Sequence, residues 1–367
     1  MGTPTGRRTI LHTEYSEGWG GQEMRIVGEA RGMIDRGHRV LIAARPQCAI
    51  LVHAAAAGIE TAAVRMRRNL DPAAIASVRA LIRRERVDLV NTHSSIDAWV
   101  GGLAATLARV PLVRTRHVSK RIRRHPLNFV HSLATATITT GEALRQQFVE
   151  DTDIDPARVV SIPTGIDLDH FAPDPDRRTL RSRLGLTADA KIVATIAVLR
   201  QAKRHTRLLE AAAALRERND LFFVFAGEGS QRAPIEQRIM ELGLGERVRL
   251  LGHVEDVRPV LAGADVIASA SSGMEGVPQA LLQALAMERP VVATDDGAVA
   301  EIIRDQETGL LVPREQPRAL ADALEKMLDQ PAFAGACGRR GRELVARRYS
   351  RAAMLDALEA LYGTILP

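Results

Sequence analysis

Short apolar runs recur along the chain and alternate with longer stretches in which apolar positions return every three or four residues. In the first half the runs are RTILHT, RVLIAAR, VDLVNTH, PLVRTRH and ATITTG, and the amphipathic stretches include residues 22–36 and 71–85. Short apolar runs bounded by turn residues read as buried strands and the 3.6-residue period reads as helix, so the order is β-α-β-α. That order builds a parallel sheet covered by helices. A second series begins near Lys191 with KIVATIAV and continues through DLFFVFAG, RVRLLG, ADVIASAS, RPVVAT and GLLVP. The expected fold class is therefore α/β, with two Rossmann-like units in tandem.

The joint falls in IPTGIDLDHFAPDPDRR, residues 162–178, which holds three prolines and several aspartates without apolar periodicity. Such a segment reads as a surface linker. The expected domains are residues 1–170 and 171–348, and residues 349–367 carry an amphipathic helix over Tyr349–Leu361 that closes the second unit or crosses back onto the first. Open α/β sheets bind ligands beyond the carboxyl ends of their strands. Two such units facing each other would place both sets of strand ends around one cleft.

Composition narrows the functional classes. The 367 residues are 46% hydrophobic and 26% charged, the profile of a globular protein with room for two cores. No apolar run approaches the ~20 residues of a membrane-spanning helix, and the first residues lack a signal-peptide core, so a cytoplasmic protein is expected. The two cysteines, Cys48 and Cys337, lie far apart and read as small buried hydrophobes rather than a disulfide or zinc framework. Charge is uneven: residues 1–150 hold 22 Lys and Arg against 12 Asp and Glu, while the remainder holds 28 against 32. The first half should therefore face something anionic. With only 3% aromatic residues there is little to stack on bases, which argues against nucleic acid and for a phosphorylated substrate or a lipid surface.

Three places carry candidate chemistry. In SEGWGGQE, Gly18, Gly20 and Gly21 clear side chains from the start of the first helix, where backbone N–H groups attract a phosphate or a hydroxyl. The turn fails the dinucleotide fingerprint, because Glu23 occupies the third glycine position. Arg200 and Lys203 follow the first strand of the second series and are placed to neutralise a diphosphate. In SASSGMEGVPQALLQALA, Glu275 and Gly276 lie on a loop between a strand and a helix, Pro278 suits the helix's first turn, and Gln283 lies one to two turns on. A carboxylate there can accept sugar hydroxyls while helix amides bind phosphate.

These motifs together resemble the family 4 glycosyltransferases of the GT-B fold. The likeness runs in order through GGQE, RTRH, ITTGEALRQQF, IPTGIDLDHFAP, the turn around Lys203, FAGEGSQR, RLLGHVEDV, EGVPQALLQALA and ETGLLVP. It implies two Rossmann-like domains facing across a cleft, a nucleotide-sugar donor, UDP being the commoner nucleotide, and transfer with retention at the anomeric carbon. The family's E-x7-E motif falls on Glu275 and Gln283; the glutamine keeps an acceptor for the ribose but loses the charge. His117 matches a histidine that touches the donor sugar near its 6-hydroxyl, and Lys203 matches the lysine of a basic pair. The arginine of that pair falls on Val198, and Arg200 is expected to stand in for it.

The catalytic set implied is thus Glu275, His117, Arg200 and Lys203. The donor set is Gly20, Gly21, Gly227, Gly229, Val254, Gly276, Val277, Pro278 and Gln283. No cofactor or metal is implied, since cations and helix amides neutralise the leaving diphosphate; the D-x-D strings at 151–155 and 174–176 read as solvated loops. The first domain would hold a saccharide or lipid-linked acceptor, with Arg65, Arg67, Arg68, Lys120, Arg121, Arg123 and Arg124 facing acceptor phosphate or anionic lipid on the inner face of the membrane. Surface polysaccharide or lipopolysaccharide synthesis is the expected setting. The alternatives are a nucleotide-sugar epimerase of the same fold, an inactive nucleotide-sugar-binding scaffold and, third, a dehydrogenase.

Overall fold

The computed structural model describes residues 6–117, 121–122, 126–174, 176–273 and 276–366. The chain divides into two compact units, residues 1–165 together with 351–367, and residues 166–350. The first unit runs β1 (Thr9–Glu14), α1 (Gly21–Asp35), β2 (Arg39–Ala44), α2 (Ala49–Ala56), β3 (Glu60–Ala63), α3 (Pro72–Arg84), β4 (Leu89–Thr92), α4 (Ser95–Ala108), β5 (Leu112–Arg116), β6 (Ala136–Thr139), α5 (Glu142–Asp151) and β7 (Val159–Ser161). The second runs α6 (Arg178–Arg183), β8 (Lys191–Ile196), α7 (His205–Ala214), β9 (Leu221–Ala226), α8 (Arg232–Glu241), β10 (Val248–Gly252), α9 (Arg258–Gly263), β11 (Val266–Ser269), α10 (Gln279–Ala286), β12 (Val291–Thr294), β13 (Leu310–Val312), α11 (Pro317–Asp329) and α12 (Pro331–Arg348), and α13 (Arg351–Ile365) returns to the first.

Both sheets are parallel throughout. The first has the order β3-β2-β1-β4-β5-β6-β7 and the second β10-β9-β8-β11-β12-β13. In each, the chain winds outward in one direction from its first strand and then in the other. The reversal lies between β1 and β4 in the first sheet and between β8 and β11 in the second. At such a switch point the loops leaving the two strands diverge and open a crevice, which fixes where each unit can bind a ligand.

Strand interiors such as Ile10, Leu11, Ile42, Val90 and Val113 are buried, as expected of a sheet covered on both faces. Two strands have no apolar run to announce them. β3, sequence ETAA, is an exposed edge, and β7 is three residues long. The amphipathic periodicity of the last segment is realised as α13, two residues later than expected, and its Met354, Leu355, Leu358 and Tyr362 enter the core built by β1, β2 and α1. Burial of each such side chain is worth ~1.5–3 kcal/mol, so the helix is a structural part of the first unit. Arg36 adds ion pairs to Asp356 and Glu359 at 2.6 and 2.5 Å. Cys48 and Cys337 are both buried thiols. Among the described residues no helix is long and apolar enough to cross a membrane.

Candidate functional site

At the switch point of the second sheet, the loop leaving β8 carries Arg200 and Lys203 on a short 3-10 turn, Gln201–Lys203. That turn is fixed from two sides. Leu199 N donates to Glu228 O at 2.9 Å and Gln231 N to Leu199 O at 2.8 Å, which ties it to the loop after β9. Ser272 N donates to Ala202 O at 2.9 Å, which ties it to the loop after β11. The first tie requires glycine: Gly227 and Gly229 have φ of +152° and +156°, and a Cβ on either would overlap the carbonyl of Ala197 or Leu199. Both glycines therefore act by letting two strand-end loops touch. Lys203 is half-buried and Arg200 exposed, and Val198 beside them is 55% exposed.

The loop after β11 is itself braced. Gly273 N donates to buried Asp296 at 2.8 Å, and Thr294 Oγ1 donates to Ser271 O at 2.6 Å. Arg204 Nε donates to Ser272 Oγ at 2.7 Å, and Ser272 Oγ donates to Glu315. The loop then leads through half-buried Gly276 and buried Val277 into α10. Pro278 is the cap before α10 rather than a residue of its first turn, since its extended backbone (ψ 117°) precedes the helical residues. Gln283 is half-buried one turn into α10. Val254 follows β10, next to β9. Glu275 lies outside the described residues.

The switch point of the first sheet is lined by polar side chains at the ends of β1, β4 and β5. Asp97, in the first turn of α4, accepts from His93 N (2.7 Å), Ser94 N (2.8 Å), Ser94 Oγ (2.5 Å) and Thr13 Oγ1 (3.1 Å). Glu14 ends β1 and accepts from Tyr15 N and Ser16 N at 2.7 Å each and from Gln22 Nε2 at 2.5 Å. Gly20 caps α1 and donates its N–H to Glu23 Oε2 at 2.9 Å, and Gly21 is the first residue of α1.

Three histidines, one after another in space, form the centre of this site. His12 Nδ1 lies 2.8 Å from His93 Nε2, and His93 Nδ1 lies 3.1 Å from His117 Nε2. Neighbouring rings meet edge to edge, with centroids 5.1 and 5.3 Å apart and planes inclined by 18° and 30°. Burial pushes His93 and His117 well below the ordinary imidazole range and lowers His12 as well. Of the three, only His117 stood out in the sequence. The signal was present, since RTILHT, VDLVNTH and PLVRTRH each place a histidine at or near a strand end.

Other expectations are redistributed. Arg114 and Arg116 open the basic stretch RTRHVSKRIRRH in sequence, but they belong to β5 and are mostly shielded, with burial lowering each to about 10, so they do not contribute to a basic surface. Arg65, Arg67 and Arg68 are exposed after edge strand β3. Arg121 is exposed but paired with Asp151 at 2.9 Å. Lys120, Arg123 and Arg124 lie outside the described residues. In the D-x-D strings Asp155 caps a 3-10 turn at Ala157 N, and Asp176 caps α6. Among the described residues no group of His, Cys, Asp or Glu is arranged to hold a metal ion.

The Glu14 carboxyl has a measurable consequence. Burial first, and the Asp97 charge second, raise it to about 7. A carboxyl raised on folding stabilises the protein below its unfolded value near 4.5, and that stabilisation is lost as pH rises through about 7. The unfolding free energy of Glu14→Gln relative to wild type should therefore shift in the variant's favour between pH 4 and pH 8, by up to roughly 3 kcal/mol. Denaturant titrations at the two pH values measure it, and a constant difference would refute it.

Comparison with known proteins agrees with this geometry. Residues 19–170 match the model of Glycosyltransferase Family 4, and residues 176–344 match that of Glycosyl transferases group 1. A D-inositol 3-phosphate glycosyltransferase of Corynebacterium glutamicum is 32% identical over 316 residues, spanning 77% of this chain and 73% of the relative. A glycosyltransferase from Rickettsia africae superposes with a TM-score of 0.90 at 22% identity, covering 98% of this chain and 99% of that one. Anabaena HepE, solved in complex with UDP, superposes with a TM-score of 0.87 at 20% identity over 97% of this chain and all of its own. With two parallel-sheet domains and these relatives, the chain belongs to the family 4 glycosyltransferases, enzymes of the GT-B fold.

Proposed function

We propose that the enzyme moves a sugar from a UDP-sugar donor, with retention at the anomeric carbon, to a hydroxyl of a saccharide, polyol or lipid-linked acceptor. The observation that carries the donor reading is the braced turn bearing Arg200 and Lys203 at the second sheet's switch point, on a loop hydrogen-bonded to the one that leads into α10. As the C–O bond to the diphosphate breaks, negative charge grows on the leaving group while the sugar becomes oxocarbenium-like. Lysine, arginine and the positive end of α10 stabilise that charge, and a rigid turn holds the two side chains without reorganisation. Gln283 is assigned to the ribose hydroxyls, Glu275 to the transferred sugar, and Gly276, Val277 and Val254 to the walls of the nucleotide site. The base is taken from HepE, a structural neighbour solved with UDP.

The acceptor is assigned to the first unit. The name of the Corynebacterium relative points to a phosphorylated polyol as one acceptor class, and exposed Arg65, Arg67 and Arg68 suit a phosphate on the acceptor or on anionic lipid at the inner membrane face. Surface polysaccharide or lipopolysaccharide assembly is the setting proposed from the family resemblance. Calorimetric titration of UDP, GDP, ADP and NAD, with and without EDTA, tests the donor: UDP should bind in both conditions. Binding of NAD alone would overturn the transferase donor site, and UDP binding only with a divalent ion would overturn the metal-free reading. Product anomer configuration, read by NMR on a transferred glucose, tests retention.

A further inference from the structure

The chain of histidines does not stop at His12. On its inner side His12 Nε2 lies 4.0 Å from Glu29 Oε1, and that oxygen accepts from Tyr362 Oη at 3.1 Å. The other carboxylate oxygen lies 3.8 Å from Arg25 Nε. His12, Arg25 and Glu29 are at most 2% exposed, and His93 is 4% exposed. A line of side chains therefore runs from α13 through α1, β1 and the end of β4 to half-buried His117 beyond β5. The residues lie on separate elements, brought into line by the order β1-β4-β5.

Neutral imidazoles carry one N–H each, so in a chain of three rings the proton on one dictates the others. Two arrangements satisfy both ring-to-ring hydrogen bonds. In one, every ring carries its proton on Nδ1, and His12 then turns a bare Nε2 lone pair toward the Glu29 carboxylate. In the other, every ring carries it on Nε2, and His12 turns an N–H dipole toward that carboxylate. The first is repulsive and the second attractive. Arg25 acts in the opposite sense, but at His12 the field of Glu29 is the larger of the two. The carboxylate thus selects the second arrangement, in which His93 Nε2–H donates to His12 Nδ1 and His117 Nε2–H donates to His93 Nδ1.

We infer that Glu29, His12 and His93 are positioning residues that lock His117 in the Nε2–H tautomer and so present its Nδ1 lone pair as an acceptor for a substrate hydroxyl. This rests on the reading of His117 as a sugar contact; the tautomer itself does not. A substrate hydroxyl then donates to the ring, and a sugar lacking that hydroxyl leaves the lone pair without its partner. The ring chain is a specificity device with its anchor in the C-terminal helix.

Nitrogen-15 NMR of histidine-labelled full-length enzyme decides the tautomer, with His117→Asn used to assign the ring. The expected wild-type spectrum shows His117 neutral with its proton on Nε2; a proton on Nδ1, a charged ring or an even mixture overturns the inference. Glu29→Gln should make the tautomers mix and lower UDP-glucose affinity by about three- to tenfold while leaving UDP affinity unchanged, the size of one lost hydrogen bond. Should that variant not fold, the wild-type spectrum still decides. Equal ratios of UDP-glucose to UDP affinity in wild type and His117→Ala would overturn the sugar-acceptor role, a failure separate from that of the tautomer.

Discussion

Lys203→Ala is expected to lower kcat for sugar transfer by about two to three orders of magnitude, the loss seen when one preorganised partner of developing charge is removed. The reason is geometric. Lys203 ends a turn whose backbone is held at Ala202 by Ser272 and at Leu199 by Glu228 and Gln231, so its ammonium group is delivered to the strand ends by atoms that the substitution leaves in place. The side chain is half-buried and contributes little to either core. Thermal stability should therefore stay within about 1 kcal/mol of wild type, as for surface positions generally. Arg200→Ala should show a smaller loss, on the order of tenfold, because its guanidinium is exposed and screened by water. Steady-state kinetics with UDP-glucose, beside a melting curve for each variant, separates lost chemistry from lost structure. Turnover by Lys203→Ala within threefold of wild type would remove the lysine from the mechanism.

Much of this arrangement could be read from the chain, because the information is local where it was legible. Buried parallel strands are predominantly apolar, and the eleven apolar runs quoted above became β1, β2, β4–β6 and β8–β13. β3 escaped because an exposed edge need not be apolar, and β7 because three residues carry no period. The strand-end loops of the second unit were legible for a similar reason: glycine at Gly227 and Gly229 and cations at Arg200 and Lys203 lie on consecutive short segments.

What could not be read depended on distant partners. Arg114 and Arg116 look like members of a basic run with Lys120 and Arg121, yet strand pairing carries the first two inward. Tyr362 is 333 residues from Glu29, and amphipathicity gives α13 a buried face without saying what covers it. The histidines at the ends of β1, β4 and β5 are unremarkable singly; their significance comes from sheet order, which places β4 between β1 and β5 although β2, β3 and three helices intervene in sequence.

Asp97→Ala should destabilise the first unit by roughly 3–5 kcal/mol, which for a unit of this size lowers its melting transition by on the order of 10 °C. Asp97 accepts four hydrogen bonds, and two of its donors, Thr13 Oγ1 and His93 N, are buried and have no water to turn to. The other two, from Ser94, form the cap of α4, whose loss alone costs ~1 kcal/mol. One effect works the other way. Burial raises the Asp97 carboxyl, so its charge is held at a penalty that alanine removes, and the same substitution removes the charge that helps to keep Glu14 near 7. Four charge-assisted bonds outweigh that relief. Asp97→Asn separates the contributions: it keeps the shape and one acceptor, should lose less stability than alanine, and should let Glu14 titrate at a lower pH. UDP affinity, assigned to the second unit, should be unchanged in both variants, whereas sugar specificity should weaken in Asp97→Ala because the hydrogen bond from the His93 N–H that seats this ring in the chain is gone. A melting transition within 2 °C of wild type would show that Thr13 and His93 find other partners and that the carboxylate does not hold the β4–α4 turn.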